Sequence, residues 1–546
     1  MNDLKKYIRW YRYAVSPFRW QMAFMVMCHV LLTGCSIVFV FVSKALVDTA
    51  VALLDGRSVE HGLTVWACCI CGIILIRIFL NAVRSYLQTS VEVEVTNRIR
   101  IRIFDSLLHL KELETEKYHS GDMLNRLNED VKIVAGAFAV SVPDVFGASL
   151  HFLAALLYLM TLEPRLGLVI LVVVPSCVLV GKFIGRRMRN LTHDIRRTSA
   201  KVQSYMQESI QNSVILQTME YTDNSSAVLE NLQNELYDNE VRRVRFTVFS
   251  RIFMALAFQA GYAIAFLWGV WGISKGVVTY GMMTAFMQLV GQIQRPLAEM
   301  TNRVPSIIHA TASIDRLEEI EALPTEYVDE PILLDGPLGV RMSDVDFSYS
   351  DVDVLNGFTY DFTPGSRTAV LGPTGVGKTT LIRLLLSLIK PSQGMISVYS
   401  SDIAVPVSSS TRCNLVYVPQ GNSLFSGTIR QNLLIGNPAA SEEQIRYALR
   451  TAAADFVFAL PSGLDTQCFE AGAGLSEGQA QRIAIARALL RPGSILLLDE
   501  FSSALDSDTE TLLMERLTAS LPSHTMIFIT HRDKIIDYCD NTLRLS

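Results

Sequence analysis

The run Gly372-Pro373-Thr374-Gly375-Val376-Gly377-Lys378-Thr379-Thr380 has the residue types and spacing to cradle a chain of phosphates. Small glycines let backbone N–H groups close around phosphate oxygens, and a helix starting there adds a favourable partial charge. Lys378 is placed to reach the β- and γ-phosphates, and the Thr379 hydroxyl to ligate Mg²⁺. The motif needs a strand before it and a helix after it; Arg367–Leu371 and Leu381–Leu386 have the right character for both. A second feature pairs with the loop. Ser494–Glu500 is an apolar strand that closes on two acids, at the strand end where α/β sheets place ligands. Asp499 suits a Mg²⁺ ligand, and Glu500 a group that orients and deprotonates an attacking water. An acid pair alone is often solvated charge. Following a phosphate loop in one sheet, it points to hydrolysis of a nucleoside triphosphate.

These residues need an α/β layer to position them. From Val340 short strands alternate with helices, the layout of a mainly parallel sheet. Ahead of it, Leu317–Pro331 is rich in acids and proline and reads as a linker. The preceding chain has a different character. Six apolar stretches, each near the ~20 residues that span a bilayer, run over Trp20–Phe41, Gly62–Leu80, Gly136–Thr161, Leu166–Phe183, Phe246–Ile273 and Met282–Ile308. The boundaries expected are 1–316 for a six-span helical membrane domain, 317–339 for the linker and 340–546 for the ATPase. The apolar content of 50% and mean hydropathy of +0.29 agree with membrane segments, and 546 residues exceed one core. A net charge of −5 gives no basic field for nucleic acid. The nine cysteines are scattered and lack metal-like pairing, so they read as reduced small hydrophobes. The first apolar run is too long for a signal peptide.

Loop charges set the orientation. Lys5, Lys6, Arg9, Arg12 and Arg19 precede the first span, and basic clusters follow the second and fourth. The connectors Val47–His61, Leu162–Arg165 and Ser274–Tyr280 are short and poor in Lys and Arg. The expectation is a multi-pass protein of the plasma (bacterial inner) membrane, with both termini and the ATPase in the cytoplasm. The connectors near Tyr86–Ala135 and Gly185–Arg245 carry helical periodicity, with turns near Lys117–Asp122 and Glu208–Tyr221. They predict helices projecting tens of ångströms past the bilayer, either as plain hairpins or as levers onto an ATPase.

Polar residues recur on single helical faces within the spans: His29, Thr33 and Ser36; Arg77, Asn81 and Arg84; Gln288, Gln292, Arg295 and Glu299. They either line a cavity or, for the arginines, snorkel to water at the boundary. A cavity lined this way favours a substrate with an anionic group.

Further motifs carry a resemblance to ATP-binding cassette (ABC) proteins. Leu475-Ser476-Glu477-Gly478-Gln479 and the helix after it are similar to the family signature. Phe347-Ser348-Tyr349 resembles the aromatic that stacks on adenine, Val418-Pro419-Gln420 the glutamine loop, Ser503-Ala504-Leu505-Asp506 the D-loop and Ile529-Thr530-His531-Arg532 the switch histidine. Glu470 fits the exporter-type segment before the signature. With six preceding spans, the chain resembles a half-size ABC exporter of the type IV fold. The resemblance implies ATP and Mg²⁺ (Thr379, Gln420, Asp499) and a second half-transporter, most simply a copy of this chain, whose γ-phosphate meets Ser476 and Gly478. It implies export of an amphiphilic lipid, drug-like molecule or peptide by alternating access. An importer in the same fold, a heterodimer and an ATP-gated channel are the alternatives. Two departures stand out. Glu477 occupies a usual glycine, and the sequence ends at Ser546 without the usual glycine-containing tail, which should leave catalysis intact.

Overall fold

The lengths of the helices follow from the uninterrupted periodicity of the first part of the chain. In the computed structural model described here, α1 (Asn2–Val15), α2 (Arg19–Leu54) and α3 (Glu60–Leu108) are followed by a helical run from Ser120 to Leu162, interrupted by π-turns at Arg126–Asp130 and Ala137–Ser141 and ending as α4 (Val142–Leu162). Then come α5 (Pro164–Gln211), α6 (Thr222–Ser274) and α7 (Tyr280–Glu321). The structure describes all residues except 1, 55–59, 116–117, 119, 327–329, 350–351, 374, 470–473 and 546, and no side chains for 2–4, 60–61, 115, 120, 170–183 and 533. Thr374, Glu470, and Lys117 and His119 of the first expected turn therefore lie outside the described residues, as do most side chains of the fourth apolar stretch.

Contacts divide the chain into two units, Met1–Asp105 with Ser120–Ala322, and Ser106–His119 with Leu323–Ser546. In the first unit, four described helical runs are long and apolar enough to cross a membrane: Lys5–Leu54, Gly62–Leu108, Gly121–Leu162 and Thr222–Ser274. Helix α7 falls outside that set because it has two faces. Phe286, Leu289, Val290 and Ile293, at helical spacing, are buried against Val40 of α2, Leu156 and Leu159 of α4 and Ala265 of α6. Gln288, Gln292, Arg295 and Glu299 occupy the other face. Its start is pinned to α2: Gly281 N–H donates to Asp48 Oδ1 at 2.9 Å, and a Cβ there would sit 2.4 Å from the Lys44 carbonyl oxygen. Its end is clamped by charge, with Lys6 to Asp315 at 2.6 Å and Arg102 to Glu321 at 2.5 Å. There too, Arg316 and Ser313 both donate to the buried Asp130 at 2.8 Å. The second long connector breaks as its sequence predicts, with α5 ending at Gln211, a short helix at Ser213–Thr218 and α6 resuming at Thr222.

The second unit holds β1 (Gly339–Tyr349), β2 (Val352–Phe362), β3 (Arg367–Leu371), β4 (Gln393–Tyr399), β5 (Ala404–Pro406) and β6 (Leu415–Val418). They are followed by β7 (Gly427–Thr428), β8 (Gln467–Cys468), β9 (Ile495–Asp499), β10 (Thr525–Ile529) and β11 (Asn541–Arg544). An antiparallel sheet runs β2-β1-β4-β5 and a parallel sheet β11-β3-β10-β9-β6. The continuous apolar runs of β9 and β10 follow from burial on both faces. Alternate residues feed two cores: Leu496, Leu498, Met526 and Phe528 enter one, while Ile495, Leu497, Ile527 and Ile529 enter the other. The segment after α3 belongs to this unit. Leu110 bridges Thr325, Glu326 N–H donates to the His109 carbonyl at 2.7 Å, and Arg383 pairs with Glu112 at 3.2 Å.

Candidate functional site

Parallel strands deliver whatever follows their C-terminal ends to one edge of the sheet. Here Lys378 follows β3, His531 follows β10, Glu500 follows β9 and Gln420 follows β6, and those strands are neighbours in that order. Their side chains touch in the same order. Lys378 Nζ lies 2.5 Å from His531 Nε2, His531 Nε2 lies 3.4 Å from Glu500 Oε1, and Gln420 Nε2 donates to Glu500 Oε2 at 2.5 Å. Lys378 also donates to the Gly372 carbonyl at 2.8 Å, at the start of its own loop.

Local backbone chemistry explains why these positions need their residues. Gly375 and Gly377 have φ of +89° and +105°, and a Cβ on Gly377 would lie 2.7 Å from Val354 Cγ1. The turn they make opens α8 (Lys378–Leu385), at whose N-terminus phosphate oxygens are stabilised. Glu500 has φ of +43°, a left-handed conformation that costs energy for a residue carrying a Cβ and is held by its N–H donating to the Ile529 carbonyl at 2.9 Å. Strain of this kind is retained where a side chain must point one way.

Asp499 sits under this row. Burial, and then the neighbouring Glu500 charge, push its carboxyl up to about 6, against the pull of Lys378. Tyr417 of β6 hydrogen-bonds to it and is itself pushed up to about 12 by burial and by the Asp499 charge. A buried carboxyl with a raised pKa calls for a nearby cation. The donors in reach of sequence reasoning (the Asp499 carboxylate, the Thr379 hydroxyl and the Gln420 amide) are all hard oxygens, which fit Mg²⁺ completed by phosphate. Among the described residues no group of three or more His, Cys, Asp or Glu could hold a metal by itself.

Tyr349 packs edge-on to Phe347, with ring centroids 4.8 Å apart, and its hydroxyl accepts from Arg383 of α8 at 3.1 Å. The signature residues do something else within this chain. Ser476 caps α9 (Glu477–Leu489): its Oγ accepts from Gln479 N–H at 3.2 Å and its N–H donates to Gln479 Oε1 at 2.9 Å. Glu477 is exposed in the first turn, where a carboxylate suits the positive end of the helix. Gly478 packs on the D-loop, since a Cβ would lie 2.7 Å from the Ala504 carbonyl oxygen. Asp506 caps the next helix by accepting from Thr509 N–H at 3.0 Å, and the Ser503 carbonyl accepts from Arg532 at 3.0 Å. Arg532 also reaches Glu510 at 3.1 Å, tying the segment after His531 to the D-loop. Among the described residues no hydrogen bond or ion pair joins Ser476 or Gly478 to the phosphate loop of the same chain.

The first unit contains a cavity of about 560 Å³, within the range of small-molecule sites. His29 of α2, Arg77 and Asn81 of α3, and Gln288, Gln292 and Arg295 of α7 all line it. Two charged side chains and a histidine on its wall escaped the sequence reading: Asp144 and His151 on α4 and Arg303 on α7. Asp144 is the hub, 3.1 Å from Arg303, 3.8 Å from both Arg84 and His29, and accepting from Gln88 at 3.3 Å. Two signals for it were present, a carboxylate inside an apolar stretch and a histidine seven residues on, on the same helical face. Gly147 gives His29 its space, because a Cβ would lie 2.0 Å from its Nδ1.

An apolar helical unit with a polar cavity, in one chain with a triphosphate-binding sheet, defines an ATP-driven permease. The description "ABC transporter transmembrane region" matches residues 22–297 and "ABC transporter" matches residues 355–503. The chain belongs to the ABC transporter family, as a half-size exporter of the type IV fold with both parts in one polypeptide. It is 28% identical over 521 residues to a putative export ATP-binding/permease protein of Rickettsia bellii, covering 92% of this chain and 88% of that one. It is 27% identical over 505 residues to a fatty acid ABC transporter ATP-binding/permease protein of Mycobacterium bovis, covering 92% and 78%. The fold is similar to that of a bacterial Atm1-family ABC exporter solved with ATP bound, with a TM-score of 0.80, 24% identity, and coverage of 97% of this chain and 93% of that one. The protein is thus an ATP-binding, ATP-hydrolysing integral membrane transporter of the exporter type.

Proposed function

We propose that two copies of this chain form a transporter that exports an amphiphilic substrate from the cytoplasm or inner leaflet by alternating access. The observation that carries the catalytic part is the unbroken row Lys378, His531, Glu500, Gln420 along neighbouring strand ends. In this reading ATP lies with its adenine on Tyr349 and its phosphates in the loop from Gly372 to Thr380. Lys378 turns from the Gly372 carbonyl to the γ-phosphate. Glu500 takes the proton of the water that attacks the γ-phosphorus while the bond to ADP breaks, and His531 steadies both phosphate and water. Thr379, Asp499 and Gln420 would hold Mg²⁺, which would supply positive charge against the phosphate oxygens. The membrane part covers 1–316, the linker 317–339, whose first residues continue α7 to Glu321, and the ATPase 340–546, which the segment Ser106–His119 joins, with both termini in the cytoplasm of the cell and the spans in its plasma membrane.

Pairing of two copies is supported by what the signature lacks in its own chain, and by an apolar tip. Ile210, Val214 and Met219, around the short helix Ser213–Thr218, are about 70% exposed (73%, 69% and 73%). A surface so apolar at the end of a long hairpin suits docking on an ATPase unit. Names of relatives suggest cargo classes, a fatty acid transporter in Mycobacterium bovis and a multidrug transporter, mdr2, in Aspergillus fumigatus, of which this chain matches 61%.

The test is turnover of the purified chain in lipid nanodiscs, compared with Glu500→Gln. Loss of the general base should lower hydrolysis by at least about a hundredfold and leave ATP bound with the two ATPase units held together. Ordinary hydrolysis in that variant removes Glu500 from the role. Turnover stimulated by substrate without any second gene product supports a homodimer, and a folded, ATP-binding but silent preparation points to a partner chain or a gating role.

A further inference from the structure

The geometry points to a substrate that is an organic anion with two acidic groups, held in the cavity lined by α2, α3, α4, α6 and α7. This rests on the export reading above and narrows it. Arg77, Arg84, Arg295 and Arg303 face two carboxylates, Asp144 and Glu299, so the wall carries an excess of two positive charges with its histidines neutral. The four arginines are not equivalent. Arg84 and Arg303 share Asp144, at 3.8 and 3.1 Å. Arg77 and Arg295 meet no carboxylate among the described residues, and Arg77 instead lies 5.8 Å over the Phe39 ring. A guanidinium inside a membrane domain is costly unless an anion answers it, and its fork suits a carboxylate or phosphate. Two such guanidiniums, on α3 and α7, call for two acidic groups.

Leu32, Phe39 and Tyr262 add apolar wall for the body of the molecule. A simple fatty acid has one acidic group and so leaves one arginine unanswered. A cationic drug meets the wrong sign of charge.

Methotrexate is a suitable probe, being an amphiphile with two carboxylates, an amide N–H and amines. Its dimethyl ester keeps the body and removes both charges. Equilibrium binding of each to the wild-type chain in nanodiscs, measured by calorimetry without nucleotide, tests the proposal directly, with laurate and rhodamine 6G as a one-headed acid and a cation. The acid should bind at least about tenfold more tightly than the ester, laurate or rhodamine 6G. Arg77→Gln and Arg295→Gln should each weaken methotrexate by roughly tenfold and leave the ester unchanged, while Arg77→Lys and Arg295→Lys stay within a few-fold of wild type. Equal binding of acid and ester, or tighter binding of laurate or rhodamine 6G, overturns the assignment without reliance on any variant. Because no nucleotide is present, the outcome separates from the export reading. Acid-selective binding without ATP turnover would sink export and keep this site, and turnover with equal binding would do the reverse.

Discussion

At the scale of single residues, Asp499 shows how a functional demand is written as a cost to folding. Its carboxyl lies at about 6 in the folded chain and near the ordinary 3.8 when unfolded. The folded state therefore binds the proton more tightly, so this group's contribution is best below about pH 4 and declines as pH rises through about 6. The full loss is at most about 3 kcal/mol at pH 7.5, taking roughly 1.4 kcal/mol per unit. Asp499→Asn removes that slope. Without nucleotide and Mg²⁺ the variant should melt above wild type at pH 7.5, with the gap shrinking by about half at pH 5, while Mg²⁺-dependent turnover is lost. Thermal unfolding of the two proteins at both pH values checks it, and a variant that melts lower at pH 7.5 contradicts the buried-charge account. The sequence singled out Asp499 as a candidate Mg²⁺ ligand because an apolar strand runs directly into the acid pair. It did not show Tyr417, which reaches Asp499 only because β6 lies beside β9 in the sheet.

At the scale of elements, α4 is stitched to three other helices through one side chain. Asp144 meets His29 of α2, Arg84 and Gln88 of α3 and Arg303 of α7. Periodicity could place His29 or Gln292 on a face, because spacing within one helix is local information. It could not say that five helices turn those faces to one space, which is decided by their packing. Nor does local spacing reveal that Gly147 must stay small for His29. Asp144→Asn tests the stitch. It strips Arg84 and Arg303 of their counter-charge, and because those arginines are partly exposed the cost should fall near about 1–3 kcal/mol rather than that of a fully buried pair. The melting temperature should drop, while an added organic dianion should bind more tightly than in wild type, having lost an internal competitor for the same arginines. Binding weakened by this substitution would mean that Asp144 contacts the solute's donors instead of shielding the cations.

At the scale of the molecule, the parts of a complete ATP site are present in one chain but are not joined. The phosphate loop, Glu500, His531 and Gln420 form one connected row, while Ser476 and Gly478 are occupied with capping α9 and packing on the D-loop. In the proposed pairing, the helix N-terminus at the signature, an anion-binding feature, faces the phosphate loop of a second chain. Mixing two defective chains separates the arrangements. Lys378→Ala disables the phosphate loop, and Ser476→Arg blocks the signature. If each site takes its loop from one chain and its signature from the other, both homodimers are silent. A mixed dimer then has one site in which both defects coincide and one that is intact. Random pairing of equal amounts makes half the dimers mixed, each with one working site, so recovery should reach about a quarter of wild-type nucleotide trapping by vanadate. If the site closed within one chain, every chain in the mixture would carry a defect in its own site and trapping would stay at background. Recovery would also show that Glu477, present in every signature of the mixture, is compatible with a working site, as its exposed position at the start of α9 leads one to expect.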